Sequence, residues 1–188
     1  MENIKSAQFV KGVIGTDPLL GDTRPQIAFV GRSNVGKSSV INALTGVKGL
    51  AISSSTPGRT LQLNFFLVNG NTYFVDLPGY GYSKTSLKQA EKMRRMIMWY
   101  LEQNECKPQK VVLIIDANVG PTKFDIEMME LLEEHQYEVV VVANKVDKIK
   151  SSELVKKQRS IVEKLDTENI VYFSSKTGKG RQELLGAI

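Results

Sequence analysis

Short apolar runs alternate with amphipathic stretches along the chain. The runs "QIAFV" (26 to 30), "LNFFLV" (63 to 68), "TYFVD" (72 to 76), "KVVLIID" (110 to 116), "EVVVVA" (138 to 143) and "NIVYFS" (169 to 174) read as six strands. Helical periodicity marks the stretches at about 37–45, 86–103, 123–135 and 152–165, and a last helix begins near Lys179. This alternation predicts an α/β domain whose strands are buried on both faces. One connection breaks the rhythm, because only "NGN" separates the second and third runs. Asn69-Gly70 is a strong hairpin signal, so those two strands must be antiparallel inside an otherwise parallel sheet. Residues 1–24 are expected to be an N-terminal extension, leaving a single domain over 25–188, and "GRQELLGAI" is short for a closing helix.

Composition narrows the classes without choosing one. A chain of 188 residues with 41% apolar content suffices for one core and is short for two. The lone Cys106 excludes an internal disulfide framework and fits a reducing compartment, with the cytoplasm the simplest expectation. There is no apolar core followed by a cleavage site at the N-terminus, and no stretch of about 18 consecutive apolar residues. A formal charge of +5 permits an acidic partner such as RNA without requiring one.

The chemistry begins after the first run. "GRSNVGKS" spans Gly31, Arg32, Ser33, Asn34, Val35, Gly36, Lys37 and Ser38 with the spacing of a P-loop. Its glycines let the chain curl so that backbone N–H groups meet phosphate oxygens, and the following helix adds its positive end. Lys37 would reach the β and γ phosphates and Ser38 would bind Mg²⁺. "DLPG", made of Asp76, Leu77, Pro78 and Gly79, closes the third run. There Asp76 would hold Mg²⁺ through a water, and the Gly79 N–H would sense the γ phosphate. "NKVD" carries Asn144, Lys145 and Asp147, and "SSK" is Ser174, Ser175 and Lys176. The Asp147 carboxylate can accept from N1–H and the 2-amino group of guanine, donors that adenine lacks. Asn144 can meet the base N7, a backbone N–H near Ser175 can meet O6, and the stems of Lys145 and Lys176 can cover the two ring faces. All four motifs follow strands, where ligands of such sheets bind.

With "STPGRT" added, the set resembles the P-loop GTPases of the Era-like, translation-factor-related branch. "PGRT" together with "DLPGYGY" is similar to the EngB family, also called YihA or YsxC. The resemblance implies a Ras-like P-loop GTPase fold, a GTP-binding (G) domain over 25–188, and GTP/GDP with Mg²⁺ as ligands. It further implies a cytoplasmic protein that assembles the large ribosomal subunit, through rRNA or a ribosomal protein, and that is linked to normal cell division and septation. By the same resemblance Gly58, Arg59 and Thr60 belong to the first switch, with Thr60 joining Ser38 and Asp76 on Mg²⁺ and Thr56 its nearby competitor. Lacking an appended domain, the chain is expected to be a monomer.

Tyr80 stands where many Ras-like hydrolases place a water-orienting glutamine. Three readings stay open. Tyr80 turns away and packs, leaving slow turnover; Asn34 helps bind K⁺ beside the phosphates; or Arg59 acts as a finger in cis. Lys37, Thr60, Gly79 and Asn34 are thus the candidate catalytic residues. Met93, Met96, Ile97 and Tyr100 share a helix face expected to be core, opposite Lys88, Lys92 and Arg95, with Lys84 at the entry and Glu91 able to pair with Arg95. A second basic cluster holds Lys148, Lys150, Lys156, Lys157 and Arg159. Either cluster is a solvated face or an rRNA contact. His135 has no metal-ligand company and is expected to serve a helix end. Two functions remain: a slow GTPase, or a nucleotide-gated adaptor with little hydrolysis of its own.

Overall fold

The computed structural model describes residues 3–52, 61–80, 87–102 (side chains from 91) and 107–188. Thr56, Gly58, Arg59, Thr60, Lys84, Cys106 and the side chain of Lys88 lie outside the described residues.

Among the described residues seven strands form one sheet: β1 (Ala7–Val13), β2 (Gln26–Gly31), β3 (Leu63–Val68), β4 (Thr72–Asp76), β5 (Lys110–Asp116), β6 (Val139–Asn144) and β7 (Ile170–Tyr172). Their spatial order is β1-β3-β4-β2-β5-β6-β7. β3 runs antiparallel to both neighbours, and all other pairs are parallel. The α/β class with one reversed strand therefore stands, but the strand count is seven rather than six. The additional strand, β1, comes from the stretch read as an extension. "AQFVKGV" offers no apolar alternation because β1 is an edge strand, mostly exposed, paired only to β3. The hairpin turn matches its signal: Asn69 and Gly70 both have positive φ, 51° and 72°, and the Asn71 N–H donates to the Val68 carbonyl at 3.2 Å.

The α-helices of the described residues cover the sheet: α1 (Lys37–Thr45), α2 (Leu87–Glu102), α3 (Lys123–Glu134), α4 (Ser151–Leu165) and α5 (Arg181–Ala187). The period-2 alternation of the buried strands divides the core into two layers. Ala28, Val30, Val111, Leu113 and Ile115 point towards Ile97, Tyr100, Met129, Leu132 and Ile161 of α2, α3 and α4. Ile27, Phe29, Val112 and Ile114 point towards Val40, Ile41, Leu44, Leu184 and Leu185 of α1 and α5. Ile97 and Tyr100 are buried as the periodicity requires, with Met96 packed beside them, while Lys92 and Arg95 are exposed and Arg95 pairs with Glu91. His135 caps the end of α3 and its Nδ1 lies 2.9 Å from the Leu131 carbonyl. With helices on both faces, the carboxyl ends of β2, β4, β5, β6 and β7 open at one end of the sheet, and the motifs among the described residues collect there.

Candidate functional site

The loop between β2 and α1 owes its shape to two residues with positive φ, Asn34 at 69° and Gly36 at 95°. Gly36 is also sterically required: a Cβ there would lie 2.5 Å from the Asn144 amide nitrogen. Gly31 has a similar reason, since a Cβ would stand 2.5 Å from the Ile114 carbonyl of the adjoining strand. Val35 is 2% exposed and belongs to the core, so the loop is pinned from beneath while Asn34 and Ser38 remain accessible at its lip.

The end of β4 comes up beside this loop. The Lys37 ammonium forms an ion pair with the Asp76 carboxylate, both side chains being about nine-tenths buried. Leu77 is 1% exposed and packs in the core, which carries Gly79 back over the loop. There the Ser33 N–H donates to the Tyr80 carbonyl at 2.9 Å, and the Tyr80 N–H to the Gly31 carbonyl at 3.3 Å. A Cβ on Gly79 would stand 3.1 Å from the Ser33 nitrogen. Close approach of two backbones is what the glycine permits.

Tyr80 turns away from this opening. Its ring is 7% exposed, and its hydroxyl donates to Asp125 Oδ1 at 2.8 Å. Burial, and after it the neighbouring Asp125 charge, push the phenol well above its ordinary value of 10.0, so it is a proton donor at neutral pH. Asp125 Oδ2 accepts from the Thr122 N–H at 2.9 Å and from its hydroxyl at 2.7 Å. The Arg32 guanidinium of the loop approaches the same oxygen, with Nε at 3.3 Å but not aligned for a hydrogen bond.

At the other end of the site Asn144, fully buried, works as a strut. Its Nδ2 donates to the Val35 carbonyl at 2.9 Å and its Oδ1 accepts the Ser175 N–H at 3.2 Å, joining three loops. Lys145, at φ 70°, reaches across to the Asn34 carbonyl at 2.6 Å and to Asp116 Oδ2 at 2.7 Å. Asp147 is exposed and accepts from the Ser174 hydroxyl at 2.6 Å, which orients the carboxylate. Ser174 is fully buried, and Lys176 is exposed beyond it.

All the described motif residues thus gather at one end of the sheet. Two acids there, Asp116 and Asp125, belong to none of the sequence motifs. Asp116 ends β5, and its Oδ1 accepts the N–H groups of Asn118 and Val119 at 3.0 and 3.2 Å; an acid closing the apolar run "VVLII" was the available signal. Asp125 sits in the first turn of a helix, where an acid is expected for capping alone.

A doubly wound sheet with a phosphate loop after its first buried parallel strand, and an Asn-Lys-X-Asp loop after a later one, defines a P-loop GTPase. The sequence agrees: residues 26–145 match the family described as 50S ribosome-binding GTPase, and residues 105–188 match the elongation factor Tu GTP-binding domain. The probable GTP-binding protein EngB of Clostridium acetobutylicum is 46% identical over 98% of this chain and 94% of its own length. That of Pelotomaculum thermopropionicum is 43% identical over 98% and 94%. The chain belongs to the EngB family of GTP-binding proteins. Among solved structures, a probable GTP-binding protein EngB superposes with a TM-score of 0.73 at 27% identity, covering 86% of this chain and 95% of that one. Era in complex with MgGDPNP and a 16S ribosomal RNA fragment superposes at 0.68 and 28%, covering 86% of this chain and 54% of that one. Among the described residues no helix is long and apolar enough to cross a membrane.

Proposed function

We propose that this GTPase is a slow, partner-assisted switch that acts in the cytoplasm during assembly of the large ribosomal subunit, with the link to cell division and septation following from that role. The observation that carries it is the orientation of Tyr80. Its hydroxyl is held by Asp125 inside the core, so the position that orients the attacking water in glutamine-bearing relatives offers no group to do so. Intrinsic turnover is then set by positioning and electrostatics alone.

The residue roles rest on the motifs, supported for the described residues by where they lie. The phosphates are assigned to the 32–38 loop through the N–H groups of Asn34, Gly36 and the first turn of α1, while Arg32, Ser33 and Val35 shape the loop, the Ser33 and Val35 N–H groups being bonded to the Tyr80 and Arg32 carbonyls. Lys37 exchanges Asp76 for the β and γ phosphates, and the Gly79 N–H meets the γ phosphate, with Leu77 and Pro78 holding the approach. Asp147 takes the guanine N1–H and 2-amino group, the 174–176 loop takes O6, and the stems of Lys145 and Lys176 cover the base. Ser38 and Asp76 present hard oxygen donors beside the phosphate position, a set that suits Mg²⁺ with Thr60 completing it. Mg²⁺ held there neutralises charge on the phosphates. Gly58, Arg59 and Thr60 are assigned to the nucleotide-sensing loop on their motif alone, and Asn34, exposed at the lip, is the candidate for favouring K⁺.

A ribosomal partner is supported by the family's description as 50S ribosome-binding, and by the net positive charge. Lys156 and Lys157 of the second basic cluster line, with Lys164 and the single acid Glu153, a cleft of about 300 Å³ between α4 and the loop after β5, whose surplus of ammonium groups suits phosphates.

Single-turnover hydrolysis of GTP, with and without purified large ribosomal subunits and in K⁺ or Na⁺ buffer, tests the proposal. Alone, the protein should turn over on the order of 10⁻⁴ to 10⁻³ s⁻¹, as unassisted GTPases of this fold do, and the subunit should raise that at least about 100-fold. Unchanged rates with the subunit would favour the adaptor reading. Equal rates in K⁺ and Na⁺ would remove Asn34 from the catalytic set.

A further inference from the structure

The phosphate loop, the residue after Gly79 and helix α3 meet at one buried carboxylate. Asp125 is 0% exposed, and it is fixed to its own helix through the N–H and hydroxyl of Thr122. Against that anchor stand the Tyr80 hydroxyl at 2.8 Å and the Arg32 guanidinium at 3.3 Å. Arg32 and Tyr80 are also paired to each other as a parallel backbone bridge, reinforced by the Ser33 N–H on the Tyr80 carbonyl. The backbone of residues 79–80 is therefore held to the phosphate loop by main-chain bonds and held to α3 by a side chain. The two attachments are mutually supporting, because the same acid faces both partners.

We propose that Asp125 is a positioning residue for recognition of the terminal phosphate. Holding Tyr80, it fixes the Gly79 peptide against the phosphate loop before nucleotide arrives, so that little ordering remains to be done when a γ phosphate is met. The proposal rests on Gly79 being the group that meets that phosphate. Only a triphosphate uses Gly79, whereas a diphosphate uses the loop, Lys37 and the base-reading motifs. Loss of the anchor therefore falls selectively on GTP, and the structure assigns to a residue of α3 a part of the discrimination between GTP and GDP.

The same geometry explains a tyrosine, rather than any other aromatic residue, at position 80. A phenylalanine would fill the same volume but leave Asp125 Oδ1 without its donor, a costly state for a buried carboxylate.

The test uses the full chain with Tyr80→Phe, which removes one oxygen and conserves packing, and Asp125→Asn, which keeps the side-chain shape. Affinities for a non-hydrolysable GTP analogue and for GDP are measured side by side, with thermal melts to establish folding. Both variants should bind the GTP analogue about tenfold more weakly, the scale of a lost hydrogen bond to a charged group, while GDP affinity stays within about twofold. Equal weakening for both nucleotides would reduce Asp125 to a structural role and overturn the proposal. Unchanged affinities would overturn it as well, and selectively tighter GTP binding would make the contact a brake instead. If Asp125→Asn fails to fold, Tyr80→Phe alone decides. Should Gly79→Ala in the otherwise native chain leave GTP affinity intact, the sensor reading fails first, and the two failures are thereby told apart.

Discussion

Tyr80 and Gly36 make opposite uses of a crowded neighbourhood. Tyr80 fills space and spends its hydroxyl on Asp125, and Gly36 keeps space open where the Asn144 amide comes against the phosphate loop. Substituting Gly36 by alanine combines two penalties. The residue has φ 95°, a conformation that L side chains rarely adopt, and its new Cβ would press on a buried amide that is bonded on both sides. We expect Gly36→Ala to cost about 2–4 kcal/mol in unfolding free energy, by analogy with strain at special backbone positions, and to abolish detectable guanine nucleotide binding. Chemical denaturation and calorimetric titration with GDP check the two halves of that expectation separately. The spacing "GxxxxGKS" made the glycine visible beforehand, since its conformational demand is local. Its clash with Asn144 was not visible, because the two residues are 108 positions apart in sequence.

Helices and strands were legible in proportion to their burial. α1, β3, β4 and β5 fall where the apolar pattern places them, because each presents a core face whose period reports its conformation. β1 escaped for the opposite reason: it presents Phe9 and Val10 to solvent, 50% and 40% exposed, and carries Lys11 beside a register irregularity. A lysine and a bulge on an edge strand blunt pairing with other chains, so what hid the strand from pattern reading also protects it. The β3–β4 hairpin is set by its turn chemistry instead. With Asn69 and Gly70 both at positive φ, Gly70→Val should destabilise the protein by about 1–2 kcal/mol without changing nucleotide specificity. Urea midpoints and the ratio of GTP to ATP affinity measure this; a specificity change would mean that the turn communicates with the site.

At the scale of the molecule, β1 completes the sheet by covering the free edge of β3, and its Val13 is buried in the same core layer as Phe65 and Tyr73. Deleting residues 1–13 would expose a well-ordered apolar strand to solvent and to other copies. The shortened chain should melt several degrees lower and elute as concentration-dependent oligomers by size-exclusion chromatography. A monomeric product with unchanged melting would show that the strand is dispensable. The wider consequence concerns where function is written. The α/β class, the reversed strand and the motif loops at the strand ends can be read along the chain alone, because turn residues, glycine spacing and strand-end acids act over a few positions. That β1 joins the sheet, that Asn144 and Lys145 brace the phosphate loop, and that Tyr80 points at Asp125 became visible in the folded molecule alone. Those arrangements depend on which elements the doubly wound sheet brings together, and side chains distant along the chain carry no local signal of the partners they will meet.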